Sequence, residues 1–225
     1  MAKNVLEKLK EQSIGLTPVT RYCKICFKEI NDHSLYNSFN PKSIICENCF
    51  REFKAKFKSF RIGSIKCLSI YDYDETIKKL LYTFKGCYDY ELKDVFLSRY
   101  LTYLKLLYRG YIVVPVPSNK IDDIKRGFNH VVEIYKSLGL PMVDALIKVK
   151  NEKQSSKSKK NRLNIDTVIV GQNLEKLYGK KVLIVDDVYT TGATMHKAIS
   201  VIKEASPKQI KVLVIAKTID LKDRK

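Results

Sequence analysis

Apolar residues recur along this chain in two rhythms, and the switches between them mark its elements. Residues 182–185 are Val-Leu-Ile-Val, four apolar positions in a row and mostly β-branched, the pattern of a strand buried on both faces. Directly after a short run of small residues, Met195, Ala198, Ile199 and Ile202 repeat at i, i+3, i+4 and i+7, which predicts a helix. Residues 65–73, 111–116 and 210–216 read as further strands. Ile77, Leu80, Leu81 and Phe84 share a helical face that ends at Lys85-Gly86, and Gly suits a helix C-terminus. A strongly apolar helix is expected over 92–108, and another over 131–138, broken by Gly139-Leu-Pro141. Phe50, Phe53, Phe57 and Phe60 also fall at helical spacing, so 50–61 is expected as a helix with basic residues between its rings. That face either docks on a core or stacks on nucleic-acid bases; the spacing favours burial. A short amphipathic helix over 5–16 leads in, and 220–225 form a charged tail.

The densest chemistry lies between the strand at 182–185 and the helix after it. Asp186 and Asp187 follow the strand, then Thr190, Thr191, Gly192, Ala193 and Thr194. Threonine hydroxyls and free N–H groups at a helix start donate to an anion, and the helix dipole adds to this. Carboxylates at the carboxyl end of a strand lie where open α/β sheets bind ligands, and there they accept from sugar hydroxyls. A helix cap needs one threonine and explains neither the acidic pair nor three threonines. The stretch resembles the PRPP-binding loop of type I phosphoribosyltransferases. The resemblance implies that Asp186 and Asp187 face the ribose and that residues 190–194 wrap the 5′-phosphate.

Cysteines change the picture of the N-terminal region. Cys23-x-x-Cys26 and Cys46-x-x-Cys49 are separated by nineteen residues, inside the window for two knuckles that present four thiolates to one structural zinc. His33 lies between them and is expected at the surface, because four thiolates already fill the shell. Cys67 and Cys87 are left over and read as buried thiols.

The 225 residues, 45% hydrophobic, suffice for one large core with a small appendage, divided here into 1–62 and 63–225. No run reaches the length of a membrane span, and the start lacks a signal peptide's apolar core, so a cytoplasmic protein is expected. The formal net charge is +18, reduced to about +16 by a zinc tetrathiolate, and its cations are spread along the chain. Such a charge suits nucleic acid as well as a lysine-rich background. Residues 148–162 read as a mobile basic loop, a candidate lid, in which Lys153, Lys157, Lys159 and Lys160 are the favoured candidate nucleic-acid contacts, with Lys54, Lys56, Lys58 and Arg61 as the competing surface.

Taken in order, the paired cysteines, Lys85-Gly86, Val114-Pro-Val-Pro117, Arg126-Gly-Phe-Asn129, Gln154, Arg162, Asn164 and the Asp-Asp…Thr-Gly-Ala-Thr loop resemble the ComF family of competence-associated, phosphoribosyltransferase-like proteins. The resemblance runs from about residue 20 to 217 and departs at His130, where the family usually has Gln. It implies an α/β fold: a type I phosphoribosyltransferase-like parallel sheet flanked by helices, with a small N-terminal zinc-knuckle domain. It also implies a role in natural transformation, handling incoming single-stranded DNA beside a DNA-translocating ATPase and a recombinase-loading protein. If transfer occurs, Mg²⁺ accompanies PRPP, Lys85 and Arg126 face the pyrophosphate, and Asp186 and Asp187 carry the ribose side of an oxocarbenium-like state. A salvage phosphoribosyltransferase joining PRPP to a base is the competing reading.

Overall fold

The computed structural model describes residues 20–30, 43–53, 55–150 and 167–218. The expected helix at 5–16, His33, Lys54, Gln154, Arg162, Asn164, the tail, and Lys153, Lys157, Lys159 and Lys160 lie outside these residues. The chain forms two compact units that divide between Phe50 and Arg51, ahead of the expected boundary at 62.

In the first unit, Tyr22 and Glu29 form an antiparallel bridge around a tight turn, with Cys23 N donating to Lys28 O. Helix α1 (Glu47–Glu52) follows, burying Cys49.

The second unit is built on a five-stranded sheet. Its strands are β1 (Lys58–Ile62), β2 (Ile65–Asp72), β3 (Tyr111–Pro115), β6 (Lys181–Tyr189) and β7 (Gln209–Lys217). The order is β1-β2-β7-β6-β3, with β2, β7, β6 and β3 parallel and β1 antiparallel at the edge. Val182, Leu183, Ile184 and Val185 are wholly buried at its centre, as a strand covered on both faces requires. Helices α2 (Glu75–Lys85), α3 (Leu101–Leu107), α4 (Lys120–Arg126), α5 (His130–Lys136) and α6 (Ala193–Glu204) connect the strands. A hairpin of β4 (Leu146–Lys150) and β5 (Thr167–Gly171) packs Leu146 and Ile169 into the same core as Val182 and Ile199.

The expected helix over 50–61 does not form. Helix α1 ends at Glu52, Phe57 takes a left-handed φ of 47°, and residues 58–62 become β1. Lys58, Phe60 and Ile62 also alternate at period two, and pairing with β2 through the two-residue turn at Gly63 and Ser64 selects that period. The aromatics are nonetheless used for packing, as the spacing suggested: Phe53 on Tyr71, Phe57 edge-on to Tyr100 at 4.9 Å, Phe60 on Tyr189. Residues 92–108 also depart from one long helix. Val95, Phe96 and Leu97 are consecutive and all buried, which no single helical face allows, so the chain passes as 3₁₀ turns before α3. Lys148 and Lys150, expected in the basic loop, lie on β4. Cys67 is buried, as expected, but Cys87 is exposed.

Candidate functional site

Strand β6 runs on past its apolar core, so Asp186 and Asp187 belong to the strand rather than to the loop after it. Asp187 is buried and held from three sides. Its Oδ2 accepts from the Lys85 ammonium and from His130 Nε2 at 3.2 Å, and its Oδ1 accepts from Val188 N at 2.6 Å. Among the described residues the Asp186 carboxylate accepts only the Asp187 amide, at 2.9 Å, while its backbone carbonyl accepts from the Tyr135 hydroxyl at 2.9 Å. The two carboxyls consequently titrate apart. Burial, then the Asp187 charge beside it, pushes Asp186 up to about 8. Burial works against the Asp187 anion too, but the His130 hydrogen bond and the Lys85 charge outweigh it and hold Asp187 well below the usual carboxylate range.

Lys85 reaches the pair because α2 buries Ile77, Leu80, Leu81 and Phe84 and ends beneath the carboxyl edge of β6. Gly86 is there for space rather than for handedness. Its φ is −96°, and a Cβ would lie 2.8 Å from Tyr82 O. Arg126, at the end of α4, donates from Nε to Lys85 O at 2.8 Å and from Nη1 to Asp123 Oδ1 at 3.1 Å. Its Nη1 also lies 3.0 Å from His130 Nδ1. A guanidinium carries donors only, so Nδ1 accepts and the His130 proton sits on Nε2, aimed at Asp187. Asn129 caps α5 through Val132 N and ties Ser118 Oγ (2.8 Å) and Asp123 Oδ2 (3.0 Å) into the same network.

His130 has no role assigned by sequence alone, yet it bridges Arg126 and Asp187. Its visible signal is helical spacing: His130, Ile134 and Leu138 share the buried side of the segment from α5 to its end. Of the Ser118–Asp123–Asn129 cluster only Asn129 belongs to a sequence motif; Asp123 lies on α4, a helix that the apolar pattern does not mark, and Ser118 lies just before it.

After Tyr189 the loop turns through Gly192, whose φ of 80° is left-handed and whose missing Cβ leaves room for the Tyr189 hydroxyl. Helix α6 begins at Ala193, so its first amides lack intrahelical acceptors. Ala193 N lies 3.5 Å from Thr191 Oγ1. A cavity of about 390 Å³ brings together Lys85, Arg126, His130, Asp186, Asp187 and Thr194. Thr190 and Thr191 line a neighbouring groove instead. An adjoining recess of about 470 Å³ has mostly apolar walls, including Pro115, Met142 and Leu146, and shares Val116, Pro117, Ser118 and Lys148 with the first.

In the N-terminal unit, the sulfurs of Cys23, Cys26, Cys46 and Cys49 all lie within 4.8 Å of one another. Cys26 and Cys46 are 3.7 Å apart. A tetrahedral ion with metal–sulfur bonds of about 2.3 Å spaces its ligands about 3.8 Å apart, so the four fit one ion. Burial opposes the Cys23 thiolate, but backbone N–H groups of Cys46, Cys26 and Ile25 outweigh it and bring the thiol down to about 7. Burial and the neighbouring sulfurs push Cys49 up. Four thiolates cannot share this space without a cation.

Residues 124–225 match the phosphoribosyl transferase domain family. Over 190 residues the chain is 30% identical to the competence protein ComFC of Bacillus subtilis (strain 168), covering 81% of this chain and 78% of that one. Against the competence protein ComFC of Streptococcus pneumoniae (strain ATCC BAA-255 / R6) it is 28% identical over 178 residues, 76% and 80% of the two chains. Among solved structures, phosphoribosylpyrophosphate synthetase from Mycobacterium smegmatis matches with a TM-score of 0.32 and 18% identity. That match covers 52% of this chain, which spans 31% of the synthetase chain. The domain match, the parallel sheet with its flanking helices and the four-cysteine cluster agree with a type I phosphoribosyltransferase-like fold behind a metal knuckle, and with competence proteins aligned along most of its length, the chain belongs to the ComF family.

Proposed function

We propose that this protein binds PRPP with Mg²⁺ at the carboxyl edge of β6 and handles incoming single-stranded DNA in the cytoplasm during natural transformation. The observation that carries the PRPP half is the convergence of two carboxylates, Lys85, Arg126 and Thr194 on one cavity beside an open helix start. Asp186 is the carboxylate available to a ribose hydroxyl, because Asp187 is engaged by Lys85 and His130. Asp187 then serves to hold Lys85, which Arg126 also grips at its carbonyl. Mg²⁺ carried in with PRPP supplies charge neutralisation on the pyrophosphate, for which Asp186 offers a hard oxygen donor. The zinc of the cysteine knuckle is structural in this reading, since four thiolates leave it no open position. A DNA-translocating ATPase and a recombinase-loading protein are the partners that a competence role calls for.

PRPP with Mg²⁺, at about a hundredfold over its Kd, is expected to raise the melting temperature by about 5–10 °C. Thr194→Ala should remove more than half of that rise, and Thr191→Ala, in the neighbouring groove, less. A wild-type melting curve unmoved by millimolar PRPP and Mg²⁺ refutes the site. The apolar recess next to the cavity favours a second reading, transfer of the phosphoribosyl group to a base. Pyrophosphate release on adding a panel of bases separates it from binding alone.

A further inference from the structure

A groove of about 530 Å³ opens at the same carboxyl edge of the sheet and shares no lining residue with the cavity over Asp187. The loop after β6 divides them, with Thr194 facing one, and Thr190 and Thr191 the other. Every charged residue on the groove's wall is a cation: Lys58, Arg61 and Lys217. Lys58 is paired with Asp72 at 2.8 Å, whereas Arg61 is exposed on the edge strand. The same lining holds two rings, Phe60 and Tyr189, half-buried against the core, with centroids 4.8 Å apart and planes 51° to each other, and the Lys217 ammonium is 5.8 Å from the Phe60 ring. Cations on an edge strand also discourage sheet-to-sheet pairing, but that role does not require Lys217 or the two rings. Positive charge, hydroxyls and aromatic faces in one open groove match a polymer of phosphates and bases.

We infer that this groove is a single-stranded nucleic-acid subsite, in which bases stack on Phe60 and Tyr189 while backbone phosphates meet Arg61 and Lys217. The inference rests on the nucleic-acid half of the function proposed above and gives it a surface. It departs from the favoured placement on residues 153–160 and takes up Arg61 of the competing basic stretch.

The test is a fluorescence-anisotropy titration of a labelled oligothymidylate against the full chain over a salt series. Arg61→Glu with Lys217→Glu should weaken binding by about tenfold or more and lower the salt slope by about 1–2. A control, Lys79→Glu with Lys203→Glu, makes the same change in net charge at exposed positions on α2 and α6 and should cost no more than about threefold. Phe60→Leu keeps an apolar side chain on the core and should weaken binding several-fold with the salt slope unchanged. Photocrosslinking of wild type to a bromodeoxyuridine strand needs no variant, and adducts are expected on Phe60 or Tyr189. Equal losses in groove and control variants, or adducts confined to other segments, overturn the groove while leaving DNA binding intact. No binding by wild type at low salt sinks the nucleic-acid reading itself, and the groove with it.

Discussion

Asp186→Asn is expected to raise the melting temperature near pH 8 while weakening PRPP by about 10- to 100-fold. The two effects have one cause. Asp186 bears a charge that folding disfavours, through burial and the Asp187 anion next to it, so its folded-state pKa of about 8 lies far above that of an unfolded Asp. The penalty is absent below about pH 4, where both states hold the proton. It grows as pH rises, because the unfolded chain gives up the proton first, and it is complete above the folded value. The Asp186 side chain is half-buried, and solvent screening holds the gain to about 1–2 kcal/mol, or about 2–8 °C for a chain of this size. Asparagine keeps an oxygen for the Asp187 amide but cannot give up a proton to form the anion that a bound sugar hydroxyl and Mg²⁺ favour, and loss of a charge-assisted bond costs about 1.5–3 kcal/mol. Asp187→Asn should act oppositely and lower the melting temperature, since Lys85 and His130 lose the anion they share. Its carboxyl is depressed on folding, so its contribution is present above about pH 4 and lost as pH falls through the folded value. Melting curves of both variants across a pH series check the signs. A wild type and Asp186→Asn that melt together at pH 8 would show that the acidic pair carries no stored repulsion.

What the sequence disclosed and what it hid follow from range. Strands β6 and β7 and helices α2 and α6 were legible because each satisfies one period without a competitor: Met195, Ala198, Ile199 and Ile202 all bury, as their spacing demands. The stretch at 58–62 satisfies two periods, and only its pairing with β2 decides between them. Strand β4 was hidden by Lys148 and Lys150, which drew the expected basic loop back to residue 148 although residues 146–150 form the strand. The site divides in the same way. Asp186, Asp187 and residues 190–194 are contiguous, so their type and order announce a phosphate site. That Lys85 meets Asp187 across 102 positions, or that His130 links Asp187 to Arg126, depends on strand order and crossover, which local pattern does not encode. The split of the threonines between two hollows was likewise unreadable, because it depends on where β1 lies beside the loop.

Freshly purified, reduced protein should carry about one zinc per chain, and Cys23→Ser or Cys46→Ser should abolish it. The described part of the N-terminal unit buries Cys23, Ile30, Ile45 and Cys49, two of them prospective ligands, so little apolar burial remains without a metal. Zinc binding in modules of this kind is worth about 10–16 kcal/mol at neutral pH, and there it is the folding free energy itself. Removal of the ion should therefore unfold residues 20–30 and 43–50 together. It should leave the sheet unit standing, because Arg51–Lys225 forms its own compact body around β6 and β7. Limited proteolysis after chelation checks both statements: cleavage should appear within residues 20–30 and 43–50 while a fragment from about residue 55 onward persists with its PRPP-dependent melting shift. Acid should mimic the chelator, since protons compete with zinc for the thiolates. Protein purified under reducing conditions without zinc, yet equally resistant to protease over residues 20–30 and 43–50, would show that the knuckles fold on side-chain packing alone.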